Sequence, residues 1–200
     1  MNLYKLHSNP EELIQLDLEK ILYSKGVRNN KIARPLKLSY EPITSLPDNL
    51  EVGGRLVMTG TPITSLPNNL KVWGGLGLSG TLITSLPDDL SFSGDLSLED
   101  TPITSLPDNL TVSGDLKLND TPIKSLPDNL TVSGNLDLKG TLIESLPDNL
   151  TVGGNLVLNR TPIKSIPDNL KVGGNLYIIC TYNLDKDNLP KSIKWYKVHW

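Results

Sequence analysis

Thr101-Pro-Ile-Thr-Ser-Leu-Pro-Asp-Asn-Leu110-Thr-Val-Ser-Gly-Asp-Leu116-Lys-Leu-Asn-Asp120 is one of seven near-copies, each 20 residues long, that follow one another from Glu41 to Cys180. A fixed period of this length is the mark of a solenoid in which each repeat forms one coil. Six columns are apolar in every copy: Ile43, Leu46, Leu50, Val52, Leu56 and Met58 in the first, and Ile103, Leu106, Leu110, Val112, Leu116 and Leu118 in the fourth. One coil cannot bury six such side chains against itself, so stacked neighbours must close the core. Leu116-Lys-Leu118 alternates with the period of a strand, which predicts one short strand per copy. Leu36-Lys-Leu38 carries the same text ahead of the first copy, giving eight parallel strands down to Leu176-Tyr-Ile178. Pro and one or two Gly in nearly every 20 residues exclude helix over this span.

The remaining columns read as turn and ladder chemistry. In Leu-Pro-Asp-Asn, Pro sets φ at the second position of a turn and Asp or Asn follows it. A Gly stands two residues before each strand, at 54, 74, 94, 114, 134, 154 and 174. That spacing predicts either positive φ or close approach of successive coils. Thr61, Thr81, Thr101, Thr121, Thr141, Thr161 and Thr181 form one ladder and Ser45 through Ser165 another. Their hydroxyls are expected to bond from coil to coil or to turn backbone.

Both ends depart from the repeat. Asn9-Pro10-Glu11-Glu12 reads as an N-cap followed by Pro and acids, Gly26 ends the run, and Leu13, Leu16, Ile21 and Leu22 give the helix an apolar side. Residues 1–35 are thus expected to be an N-terminal helical cap, 36–180 the solenoid, and 181–200 an aromatic C-terminal cap in which Trp195 and Trp200 act as lids.

Leu-x-Leu-x-x-Thr-x-Ile-x-x-Leu-Pro-x-x-Leu resembles a leucine-rich repeat, with Thr where that family usually places Asn. The 20-residue length and recurring Leu-Pro are similar to the short bacterial class of secreted effectors. Ile-Thr-Ser-Leu-Pro-Asp-Asn-Leu resembles repeat proteins of bacteria and tailed phages more closely still. The resemblance implies a solenoid of parallel β-strands, mostly β and coil, with an α-helical cap. Val-x-Gly-Gly or Val-Ser-Gly replaces the usual text before the strand and leaves open a second short strand per coil at Leu-Thr-Val. Related ubiquitin-ligase effectors carry a catalytic cysteine domain after their repeats, whereas Cys180 here lies in the column of Gly60, Gly80 and Asp100. No His stands near Cys180 in sequence to act as its base, so an enzyme is not expected.

Composition agrees with a repetitive aliphatic core: of 200 residues 38% are hydrophobic but only 5% aromatic, with a single Phe. One Cys excludes an intramolecular disulfide, and His7, His199 and Cys180 cannot build the usual structural zinc site. No cofactor or metal is expected. Gly-Gly pairs such as Gly153-Gly154 lack the Lys and spacing of a phosphate loop, and Pro-Asp-Asn lacks the Gly-Gly-x-Gly-x-Asp text of calcium-binding repeats. The sequons at Asn109, Asn119, Asn129, Asn149 and Asn159 fall out of the repeat. With neither an apolar leader nor a stretch near ~20 apolar residues, the expectation is a cytoplasmic protein without membrane contact.

Charge is uneven: residues 1–40 carry seven basic and four acidic groups, 41–180 eight and sixteen, and 181–200 four and two. Lys25, Arg28, Lys31, Arg34 and Lys37 form a basic run that reads as a solvated cap surface, so direct nucleic-acid binding is disfavoured. Asp88, Asp89, Asp95, Glu99, Asp100, Asp108, Asp115 and Asp120 concentrate acids in the middle coils, opposed by Lys117. The inward columns barely change, so specificity must lie in the strand's outward positions. These are Asp95, Ser97, Glu99, Asp115, Lys117, Asn119, Asn135, Asp137, Lys139, Asn155, Val157, Asn159, Asn175, Tyr177 and Ile179. Seven steps of ~4.8 Å make this surface ~34 Å long, adequate for a partner patch of ~800 Å². The expected function is a non-enzymatic protein-interaction module acting on a host or virion protein. An acidic mimic of nucleic acid that blocks a basic protein is the alternative, and a hydrolase ranks last because a smooth face gives no cleft to raise a carboxyl pKa.

Overall fold

The computed structural model describes residues 10–181, 183–185, 189 and 198–199, the first seven and last two of these by their backbone. It is a parallel β-solenoid of leucine-rich-repeat type. One helix, α1 (Pro10–Ser24), precedes it. Every copy contributes a two-residue strand at its Leu-x-Leu text, from Leu36–Lys37 through Leu116–Lys117 to Leu176–Tyr177. These pair in parallel with each residue opposite its equivalent 20 positions on, Leu116 against Leu96 and Leu136. The resulting sheet, the long ladder, has nine strands, not eight, because Val198–His199 adds itself beside Leu176–Tyr177. Val198 stands 22 residues after its partner Leu176, two off the period, and ends a degenerate copy that begins Leu189-Pro-Lys-Ser-Ile193. The Trp195 and Trp200 lids lie outside the described residues, as does Asn9.

The second strand per coil exists. Lys31–Ile32, Glu51–Val52, Lys71–Val72 and Ser91–Phe92 form one four-stranded parallel sheet, and Thr111–Val112 through Lys171–Val172 form another. One residue per strand faces inward, enough to join the core. Between these two sheets the ladder is interrupted. The interruption falls where Phe92 replaces the Val of the other copies. Leu90 and Phe92 are only half-buried, while Leu110, Val112, Leu130 and Val132 are buried. The ring is larger than the Val it replaces, and a close-packed interior does not absorb extra volume without backbone shift.

The six predicted columns form the core, except that Leu90, Phe92 and Val172 are only half-buried. Ile63, Leu76, Leu78, Leu96, Leu98, Leu116 and Leu118 have no solvent exposure, and the buried apolar residues join into one continuous cluster from Leu18 to Leu184. Of the two readings of the Gly column, close approach holds for most members. A Cβ on Gly114 would sit 2.8 Å from the Gly94 carbonyl carbon, and one on Gly74 2.6 Å from the Arg55 nitrogen. Positive φ occurs in that column at Gly94 alone, at 101°, beside the interruption.

The Thr ladder bonds within its own coil. Each buried Thr hydroxyl, from Thr61 to Thr181, donates to the carbonyl three residues back at 2.7 to 2.8 Å. The Ser45 to Ser165 column is exposed. After each long-ladder strand the chain turns through the left-handed region, at Tyr40, Gly60, Gly80, Asp100, Asp120, Gly140, Arg160 and Cys180, with φ between 55° and 70°.

The helix closes the first coil with Leu18 and Leu22 buried against it. Much of the basic run behind it is capping chemistry. Arg28 donates at 2.8 Å to the Tyr23 and Val27 carbonyls while lying 3.5 Å over the Tyr23 ring, and Arg34 donates to the Lys25 carbonyl at 3.2 Å. These satisfy carbonyls that a helix end leaves open and answer its negative pole. Lys25 pairs with Glu41 at 2.6 Å and Lys31 with Glu51 at 3.0 Å.

Candidate interaction surface

The outward side of the long ladder holds three parallel columns, and each has its own chemistry. The first runs Asp95, Asp115, Asn135, Asn155, Asn175. Here the side-chain oxygen reaches along the solenoid to the next coil's backbone. Asp95 Oδ1 accepts from the Asp115 N–H at 3.0 Å, Asp115 Oδ1 from Asn135 at 2.7 Å, Asn135 Oδ1 from Asn155 at 2.8 Å, and Asn155 Oδ1 from Asn175 at 2.7 Å. All five residues are half-buried. The column is therefore a hydrogen-bonded spine first, with only its remaining polar atoms facing outward. Asp and Asn suit it because theirs is the shortest side chain with an acceptor able to reach a neighbouring N–H.

The middle column is the open one. Lys117 is exposed, Asp137, Val157 and Tyr177 are half-buried, and Gly77 and Ser97 are buried. Ser97, expected to face a partner, is only 7% exposed and lies in the ladder between Lys117 and the bare Gly77. Arg55 lies beside the bare Gly75, where an added Cβ would meet its Nε at 3.6 Å, and comes within 4.0 Å of the Asp95 carboxylate two coils away.

In the third column Glu99 accepts from the Ser79 hydroxyl at 2.9 Å and faces Lys117 at 3.9 Å. Asn159 Oδ1 accepts from the Ile179 N–H at 2.8 Å, the same coil-to-coil pattern as in the first column. Asn119 should do the same for Lys139, but the Lys139 N–H donates instead to Asp137 Oδ1 at 3.0 Å. Asn119 Oδ1 is left buried with no partner. The exposed end of the column is Ile179, at 41%.

The acids of the middle coils do not make one row. Asp88 and Asp108 stand exposed at the turn before the short strands, Asp95 and Asp115 belong to the spine, and Asp100 and Asp120 occupy the left-handed corner after the long strand. Cys180 is exposed at that corner too. Among the described residues no group of three His, Cys, Asp or Glu side chains is placed to hold a metal ion, and no helix is long and apolar enough to cross a membrane. Beyond the strand face, Trp73 is 58% exposed in a column that other coils fill with Gly or Ser. That contrast was its signal in the sequence.

A solved structure similar to the chain is YopM from Yersinia enterocolitica WA-314, at 20% sequence identity and a TM-score of 0.44, covering 96% of this chain and 51% of that one. The chain thus spans about half the length of that protein. No family model matches the sequence, and no curated protein matches it.

Proposed function

We propose that the protein is a non-enzymatic interaction module that holds a protein partner on the outward side of the long ladder, between Glu99 and Ile179. The observation that carries this reading is the division of the face. Lys117, Asp137 and Lys139 alternate in sign at its centre, and Val157, Tyr177 and Ile179 place apolar surface beside them. Partly exposed apolar side chains flanked by charges are what protein interfaces use, the first for area and the second for register. The rigid spine below keeps the face ordered before binding, which lowers the entropic cost of association. A host or virion protein in a bacterial or phage setting is the partner class that the repeat text suggests.

The test uses affinity capture from the organism that makes the protein. Lys117→Glu combined with Val157→Asp and Ile179→Asp should abolish capture while leaving circular dichroism unchanged. Lys124→Glu with Lys164→Glu, on a different side of each coil, should leave capture intact. Equal capture by all three proteins would refute the strand-face reading.

A further inference from the structure

The two ends of the long ladder are closed differently. At one end Val198–His199 lies beside Leu176–Tyr177 as an added parallel strand. At the other, Leu36–Lys37 pairs with Leu56–Val57 on one side and has no strand on its other side among the described residues. Helix α1 covers the core here but stops at Ser24, leaving a groove of about 360 Å³ between Ser24, Lys25 and the strand residues Arg34, Pro35 and Lys37. We infer that this groove takes up an extended acidic segment of a protein partner as a tenth parallel strand, a second binding site apart from the strand face.

The backbone fixes the form of the occupant. Leu36 N–H donates to the Arg55 carbonyl at 2.9 Å and Leu38 N–H to the Val57 carbonyl at 2.7 Å, both into the solenoid. Bonds of alternate residues in a parallel strand point to opposite sides, so the N–H groups of Lys37 and Ser39 and the carbonyls of Pro35 and Lys37 face the groove. Two donors and two acceptors at strand spacing ask for another extended backbone, the arrangement known as strand addition.

The side chains fix its charge. Among the described residues Lys25 is already paired with Glu41, whereas Arg34 donates only to a carbonyl and Lys37 stands exposed. Pro and Lys at a sheet edge deter indiscriminate pairing, so an added strand must bring charges that answer them. An acidic segment does so. Nucleic acid supplies phosphates for Arg34 and Lys37 but no strand backbone. A second copy stacked end to end would bring its own basic end, with four basic and two acidic groups in residues 181–200, against this one.

Amide exchange followed by nuclear magnetic resonance on the full chain reads the site directly. The probe is an N-acetylated, C-amidated hexapeptide of alternating Glu and Val. It should slow exchange at Lys37 and Ser39 by ~10-fold or more at saturation, since exchange then requires the peptide to leave. The Lys–Val counterpart and a Glu–Val peptide N-methylated along one edge should not. Lys37→Glu, an exposed change that spares the Arg34 cap, should lose the acidic peptide while Leu116 stays protected. Three results would overturn the inference: equal protection by the N-methylated peptide or by hexathymidylate, protection of Lys37 and Ser39 in the dilute free chain, or protection that grows with protein concentration alone.

Discussion

The long ladder and the short-strand ladder share a chain, a 20-residue period and a direction, yet the first runs through nine strands and the second breaks after four. The difference lies in how many anchors each strand has. A long-ladder strand is held by two fully buried neighbours, such as Leu96 and Leu98, and from Asp95 to Asn175 also by the Asx spine at its entry. A short strand is held by one inward residue, and when that residue is Phe92 the pairing fails. A solenoid keeps its register on one intact ladder and tolerates a fault in the other.

The largest effect should come from attacking the intact ladder. Leu116→Asp places a carboxylate where exposure is zero and should cost about 4 kcal/mol or more, seen as a drop in the urea midpoint or as loss of folded protein. A loss confined to fewer than ~1 kcal/mol, the range of ordinary surface changes, would show that coils act independently. Next is the spine. Asn135→Ala removes the acceptor for the Asn155 N–H and should cost ~1 kcal/mol by the same measurement, as a single backbone-directed hydrogen bond does.

Repairing the broken ladder should be smaller and of opposite sign. Phe92→Val restores the regular column and is expected to join the two four-stranded sheets, raising stability by ~0.5 kcal/mol, because the ring removed is half-exposed and its misfit is relieved. Amide exchange at Thr111 and Ser113 should slow in the variant. Unchanged exchange there would assign the interruption to Gly94 instead of the ring.

The smallest effect lies outside both ladders. The Lys164 ammonium, hydrogen-bonded to Glu144 and close in charge, holds that carboxyl below its usual range. A depressed carboxyl pKa stabilises the fold above the ordinary carboxyl range, and the contribution fades as pH falls through the folded value. Both side chains are exposed, so the thermal midpoint of Glu144→Gln should trail the native protein slightly at pH 7, and the gap should narrow as the pH is lowered. A larger gap at pH 3 than at pH 7 would contradict the assignment.

Much of this was legible in the sequence because inward columns speak through hydrophobicity alone. Leu-x-Leu, the Thr column and the Gly column each announce a geometry that 20 residues cannot vary. The outward columns were harder. Asp95, Asp115, Asn135, Asn155 and Asn175 look like varied surface, since Asp and Asn differ in charge, and their common property emerges only when the next coil's N–H is in place. Ser97 reads as outward by alternation, but its height above the sheet depends on Lys117 and the bare Gly77 beside it. The second strand was ambiguous because one buried Val per coil gives no alternation to count. The ninth strand was not predicted because the text before it, Leu189-Pro-Lys-Ser-Ile193, is a degenerate copy whose spacing slips by two at Val198.

The left-handed corner after each long strand holds Tyr, Gly, Asp, Arg and Cys in one conformation, so its shape is set by the coil and not by the residue. That makes the corner a graduated scale. Cys180 already offers one exposed thiol there, and a second at Gly80, where an added Cβ meets nothing nearer than 3.8 Å, would stand five coils and ~24 Å from it at ~4.8 Å per coil. A non-glycine residue at such a corner costs ~1–2 kcal/mol, which a fold that seats Tyr40, Arg160 and Cys180 there has shown it can bear. A pair of spectroscopic labels on two such marks would read the pitch of the solenoid as a length, and any stretching of it as a change in that length.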